Sequence, residues 1–216
     1  MANTTFNGAV RSKNGFEDIT VSAIGAETTN STFSNNTSIG GTLSVSGVAD
    51  LDGNAGPAAG TGITTGTGTI FASTVTQAGG LWHTSILIDL TGLASSGSGD
   101  IIGKAGTASS NIGTTTVALN GTILGGKLTC METPAGGDPD IDLWYADEST
   151  GAEDAAITSL SNQVQMLNSG DLAAGSVLGI PVPPAASKFM YLVTGAATNA
   201  DYTAGKILIE FFGYDA

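Results

Sequence analysis

The chain has 216 residues, 32 of them glycine, with 19 Asp and Glu against six Lys and Arg, one His and one Cys, for a formal charge of −13. That acidity excludes nucleic acid and anionic membrane surfaces as partners, because both require clustered Lys and Arg, and a single cysteine excludes an intrachain disulfide. Side chains that carry chemistry are so scarce that the composition describes a scaffold built for contact rather than turnover: not an enzyme, and with no cofactor expected. A body of roughly 150 residues buries about 70% of its unfolded surface, enough to fold without cross-links.

The first 65 residues read as an N-terminal arm and short stem. Residues 1–14 are polar, with Phe6 and Val10 as apolar anchors, and lack the apolar stretch of a secretory leader. No apolar run approaches the length of a membrane span. The expectation is synthesis in a host cytoplasm and departure inside a larger particle. Residues 15–24 alternate, with Ile19, Val21 and Ala23 on one face, and 28–37 is an Asn/Ser/Thr-rich loop. Residues 39–53 then hold strict period-2 patterning: Ile39, Leu43, Val45 and Leu51 share one face, and glycine recurs at 41, 47 and 53. Two such units cannot bury an apolar face alone. They form either a hairpin edge packed on the body or a stem intertwined with other copies, with Leu43, Val45 and Leu51 as the oligomer contacts. Residues 54–68 contain mostly small side chains and read as a linker.

From residue 69 onward, short β-segments recur every 8–12 residues or so, the rhythm of a sandwich or barrel. They are predicted at 69–76, 81–90, 100–104, 114–119, 122–131, 141–146, 163–167, 176–180, 188–193 and 206–213. Trp82, Thr84, Ile86, Ile88 and Leu90 share one face. Asn120-Gly121 is the strongest hairpin signal, while Ile157, Leu160, Val164 and Leu167 also fit a short helix. Pro181, Pro183 and Pro184 must lie outside central strands. The absence of a βαβ rhythm points to an all-β fold, a jelly-roll-like antiparallel β-sandwich over 66–216 carrying an extended arm and stem over 1–65.

Few constellations could carry chemistry. A Ser-His-Asp triad would need His83, which reads instead as a strand residue, and no Gly-x-Ser-x-Gly elbow is present. One His and one Cys exclude a zinc site. Cys130 ends an apolar run and reads as a structural thiol. Asp138, Asp140 and Asp142 would point one way in an extended chain, and clustered oxygens suit a hard cation. The spacing is not that of an EF-hand, and the alternative is a solvated loop leading into a strand whose Ile141, Leu143 and Tyr145 face the core. A glycosidase-like carboxylate pair would need an aromatic platform that the sequence does not supply. Arg11 and Lys13 either meet carboxylates on a partner or stand solvated.

The opening Met1-Ala2-Asn3-Thr4-Thr5-Phe6-Asn7-Gly8-Ala9-Val10-Arg11-Ser12-Lys13-Asn14-Gly15-Phe16 resembles the start of small structural proteins of marine tailed phages, cyanophages among them. The ending Tyr202-Thr203-Ala204-Gly205-Lys206-Ile207-Leu208-Ile209-Glu210-Phe211-Phe212-Gly213-Tyr214 is similar to their last strand, and the glycine-punctuated 41–53 resembles phage fibre and stem segments. The middle of the chain matches in composition only. The resemblance implies a virion component, a capsid decoration (cement) protein on the capsid surface. Its expected partners are the major capsid protein and two further copies in a homotrimer, and the family supplies no catalytic site. Phe6, Val10, Arg11, Lys13 and Phe16 are then the candidate capsid contacts. A tail fibre, spike or receptor-binding knob is the alternative, and a polysaccharide-degrading enzyme a third.

Overall fold

The computed structural model describes residues 54–215. Twelve strands run through them: β1 (Asn54–Ala55), β2 (Ile70–Ala78), β3 (Leu81–Asp89), β4 (Ala94–Ser95), β5 (Asn111–Thr114), β6 (Thr122–Ala135), β7 (Ile141–Ala146), β8 (Val164–Leu167), β9 (Val177–Ile180), β10 (Phe189–Thr194), β11 (Ala200–Asp201) and β12 (Ala204–Tyr214). Two single-turn helices, α1 (Thr61–Thr64) and α2 (Val117–Asn120), and a 3-10 turn at Ile157–Ser159 complete the elements.

The strands form a six-stranded sheet in the order β1-β2-β3-β12-β6-β9, a four-stranded sheet in the order β5-β10-β7-β8, and a small β11-β4 pair. All pairings are antiparallel. The two larger sheets pack face to face as the antiparallel β-sandwich that the strand rhythm predicts. Between them lie Ile86 and Ile88 of β3, Ile207, Ile209 and Phe211 of β12, and Leu128 and Cys130 of β6. Facing these are Ile141 and Leu143 of β7, Met166 of β8, and Met190 and Leu192 of β10. The face predicted for β3 is the one that points inward, with Thr84, Ile86 and Ile88 all buried. Cys130 is a buried free thiol, as expected. Burial pushes its pKa up, and its Sγ lies 3.3 Å from the Glu132 carbonyl.

Three local readings are corrected. Residues 54–68 are not a linker. β1 pairs with β2, the amides of Gly60 and Gly62 donate to the carbonyls of Asn111 and Ser109, and Ile63 is fully buried in the core. The small residues serve close packing: a Cβ at Gly60 would stand 1.9 Å from the Ser109 carbonyl oxygen. Asn120-Gly121 is not a two-residue hairpin. Thr116 caps α2 by accepting from the Leu119 amide, and Gly121, at φ 65°, ends the turn in the left-handed region. Residues 100–104 form no strand, because consecutive residues there bridge to different segments, Asp100 to Ala156, Ile101 to Val193 and Gly103 to Ala94. Around 157–167 the helical spacing yields only the 3-10 turn, followed by β8.

Candidate functional site

The arm candidates Phe6, Val10, Arg11, Lys13 and Phe16 and the stem candidates Leu43, Val45 and Leu51 lie outside the described residues. Within them, the sequence singled out the acidic segment and His83.

The acidic segment is not a solvated loop, because two of its three carboxylates are buried brackets. Asp138 accepts from the amides of Asp140 (3.0 Å) and Thr198 (2.9 Å), while its own amide donates to Ser95 Oγ and its carbonyl accepts from the Tyr202 hydroxyl. Burial pushes the Tyr202 phenol well above its ordinary range, so it remains a donor. Asp142 accepts from Gln165 Nε2 (2.7 Å) and the Ser169 amide (3.0 Å). These bonds tie the connections around β7 and β8 to the sheet. Asp140 sits between them with a buried, unpartnered Oδ1, and its pKa is raised by burial and then by the charges of Asp142, Asp138 and Asp171. Among the described residues, no group of three or more acidic, His or Cys side chains is arranged to hold a cation. Ile141 and Leu143 face the core as expected, with Tyr145 packed against it.

His83 lies on the opposite side of the molecule's core, on the outer face of the six-stranded sheet. Registers across β2, β3, β12 and β6 order that face into rows. At one end Ala78, Leu81, Tyr214 and Thr122 stand side by side, followed by Thr76, His83, Phe212 and Gly125. The His83 ring stacks on Phe212 at 5.2 Å between centroids and 6° between planes. The next row sets Thr74, Ser85, Glu210 and Lys127 in line, then Ala72, Leu87, Leu208 and Thr129. Asp89 and Lys206 follow in register, with Ile70 and Glu132 beside them.

Charge on this face is paired. Glu210 is held by Lys127 Nζ at 2.9 Å and His83 Nε2 at 3.0 Å, and Lys206 Nζ lies 3.2 Å from Asp89 and 2.8 Å from Glu132. Partial burial would raise Glu210, but its bonds to Lys127 and His83 outweigh this and hold its pKa below the ordinary range. At Asp89, the Thr91 hydroxyl and amide together with Lys206 likewise outweigh burial.

Beyond the paired belt the face is apolar. Leu81 is 65% exposed, Leu124 69% and Phe212 44%. Leu124 is pushed out by a bulge, because Gly213 pairs with Ile123 while Phe212, one residue earlier, pairs with Gly125. Thr76, Ala78, Leu81, His83, Leu124 and Phe212 line an open groove of about 310 Å³.

Sequence reasoning missed Leu124, Lys127, Glu210 and Phe212. Two signals could have found them. Leu124-Gly125-Gly126 interrupts a strand with glycine, which marks a bulge or a close approach. Phe211-Phe212 in an alternating strand must send one aromatic ring outward. Compared with known protein families, curated proteins and solved structures, the chain matches none.

Proposed function

We propose that this chain is a non-enzymatic virion structural protein that decorates the outer surface of a capsid and bridges adjacent capsomers. The observation that carries this reading is the outer face of the six-stranded sheet, where exposed apolar rows stand beside carboxylates bridged to lysines. The chain has an excess of thirteen negative charges, yet on this face three carboxylates, Asp89, Glu132 and Glu210, are each bridged to one of two lysines, leaving an excess of one. Such a face suits contact by shape with another protein. Residues 202–214, which resemble the last strand of phage structural proteins, include β12, the strand through the middle of that sheet.

A clamp needs one surface for the shell and one for its neighbours. In this reading the arm serves the shell. Phe6, Val10 and Phe16 supply small apolar anchors, and Arg11 and Lys13 meet carboxylates of the major capsid protein. The sandwich is the rigid body from which the arm works, and each bound subunit opposes opening of the shell by mass action.

Deleting residues 1–16 tests this. The truncated protein is expected to keep the circular dichroism and melting temperature of the full chain and to lose binding to particles assembled without it. A truncated protein that still saturates those particles would defeat the assignment. Imaging the virion separates the fibre reading, since decoration places copies over the whole shell and a fibre or knob places few copies at the tail.

A further inference from the structure

The apolar end of the outer face has no covering element among the described residues, and its composition and position narrow what can cover it. We propose that a second copy of this chain docks there, with Leu124 of one copy seated in the groove of its neighbour between Leu81 and Phe212. The inference deepens the decoration reading by naming the surface through which decorating subunits meet.

Two observations favour a copy over another partner. The first is charge. A chain carrying −13 repels itself over most of its surface, where unpaired carboxylates abound. The rows that contain Leu81, His83, Phe212 and Tyr214 carry no carboxylate; Asp215, just past Tyr214 at the sheet's end, accepts from Trp82 Nε1 and Gln77 Nε2, and Glu210 on the other side is engaged by Lys127 and His83. This is a surface on which two such chains can approach while setting few like charges together.

The second is shape. The bulge lifts Leu124 outward beside the groove, so this end of the face presents both a protruding leucine and a recess of about 310 Å³ that accommodates a branched aliphatic side chain. Gly125, opposite Phe212, has no side chain, and a Cβ built on it meets nothing within 4 Å. A knob beside a hole is what a self-complementary contact requires.

The test uses the full chain alone, with no particles, so its failure is separate from failure of capsid binding. Mass is measured by sedimentation velocity and light scattering across a dilution series. Wild type is expected to be a multiple of the chain mass and to hold together in high salt, which screens repulsion without weakening apolar contact. Leu124→Glu is expected to weaken association about tenfold or more. Gly125→Leu places a branched side chain in the open space opposite Phe212 beside the groove, should weaken association similarly, and decides the matter if Leu124→Glu does not fold. Val177→Glu, an exposed apolar position elsewhere on the same sheet, should leave the mass unchanged. A monomeric wild type, or groove variants that keep the wild-type mass, would overturn the inference. So would a monomer that binds particles through Leu124, because the groove would then belong to the capsid protein.

Discussion

The two large sheets of the sandwich share a core but differ in their other faces. The four-stranded sheet is buried on both. Met190 and Leu192 of β10 point into the main core, while Tyr191 and Val193 point the other way into a second cluster with Ile101, Ala146 and Ile157. That cluster is roofed by residues 148–160, which Tyr191 staples by donating its hydroxyl proton to the Glu148 carbonyl and accepting from the Gly151 amide. The six-stranded sheet is buried on one face only, and β12 alternates strictly between buried and accessible positions over most of its length. The difference shows in the sequence as Phe-Met-Tyr-Leu-Val in β10 against the alternating Lys-Ile-Leu-Ile-Glu-Phe-Phe of β12. A sheet covered on both sides belongs to the scaffold. One with a free side, dotted with apolar residues, is available for contact.

Truncation in the two strands should break or sharpen that contrast, and it carries the largest effect. In β10, adjacent positions are both core: Leu192→Ala is expected to cost about 2–5 kcal/mol and Val193→Ala about 2 kcal/mol. In β12 the cost should alternate, with Ile209→Ala at about 2–5 kcal/mol and Leu208→Ala at about 1 kcal/mol or less. Chemical denaturation of the four variants measures this. Equal costs at Leu208 and Ile209 in a dissociated, monomeric sample would mean that the outer face is covered from within the chain.

The roof over the four-stranded sheet tests the same contrast at smaller scale. Tyr191→Phe keeps the ring in the second cluster but strands the Glu148 carbonyl and the Gly151 amide. The expected loss is about 1–3 kcal/mol, with faster proteolysis confined to residues 148–160. Unchanged stability and cleavage would show that packing alone holds the roof.

Much of this contrast was legible in the sequence and part was not, for physical reasons. Alternation predicted β3, β7 and β12 to within a few residues because a one-residue slip would turn Ile86, Ile88, Ile207 and Ile209 out of the core. The 54–68 stretch misled because small residues serve flexible linkers and tight backbone contacts alike, and only the Ser109 carbonyl beside Gly60 distinguishes them. Asn120-Gly121 misled because a left-handed glycine ends a helical turn as readily as it makes a hairpin. The outer face depends on registers between β2, β3, β12 and β6, segments up to 140 or so residues apart, and no local pattern reports which side chains become neighbours across them.

The smallest effects come from carboxylates, and here the two sheets should differ in sign. Asp140, beside the four-stranded sheet, has its pKa raised by burial and then by Asp142, Asp138 and Asp171. The folded state therefore holds its proton more tightly than the unfolded chain. Stability falls as pH rises from the unfolded value toward the folded one, and the cost is full above it. Asp140→Asn should stabilise the protein at neutral pH and converge on wild type in acid. Glu210, on the six-stranded sheet, has its pKa lowered once Lys127 and His83 outweigh burial. Its contribution is complete above the unfolded value and disappears as pH falls through the folded one. Glu210→Gln should destabilise at neutral pH and likewise converge in acid. Each difference is expected to be about 1 kcal/mol or less, and salt should shrink that of Glu210, whose partner Lys127 is solvent-accessible. Melting curves of both variants across the acid range, at low and high salt, check the opposite signs. The same sign in both would mean that the outer face is not the region of matched charge on which self-docking depends.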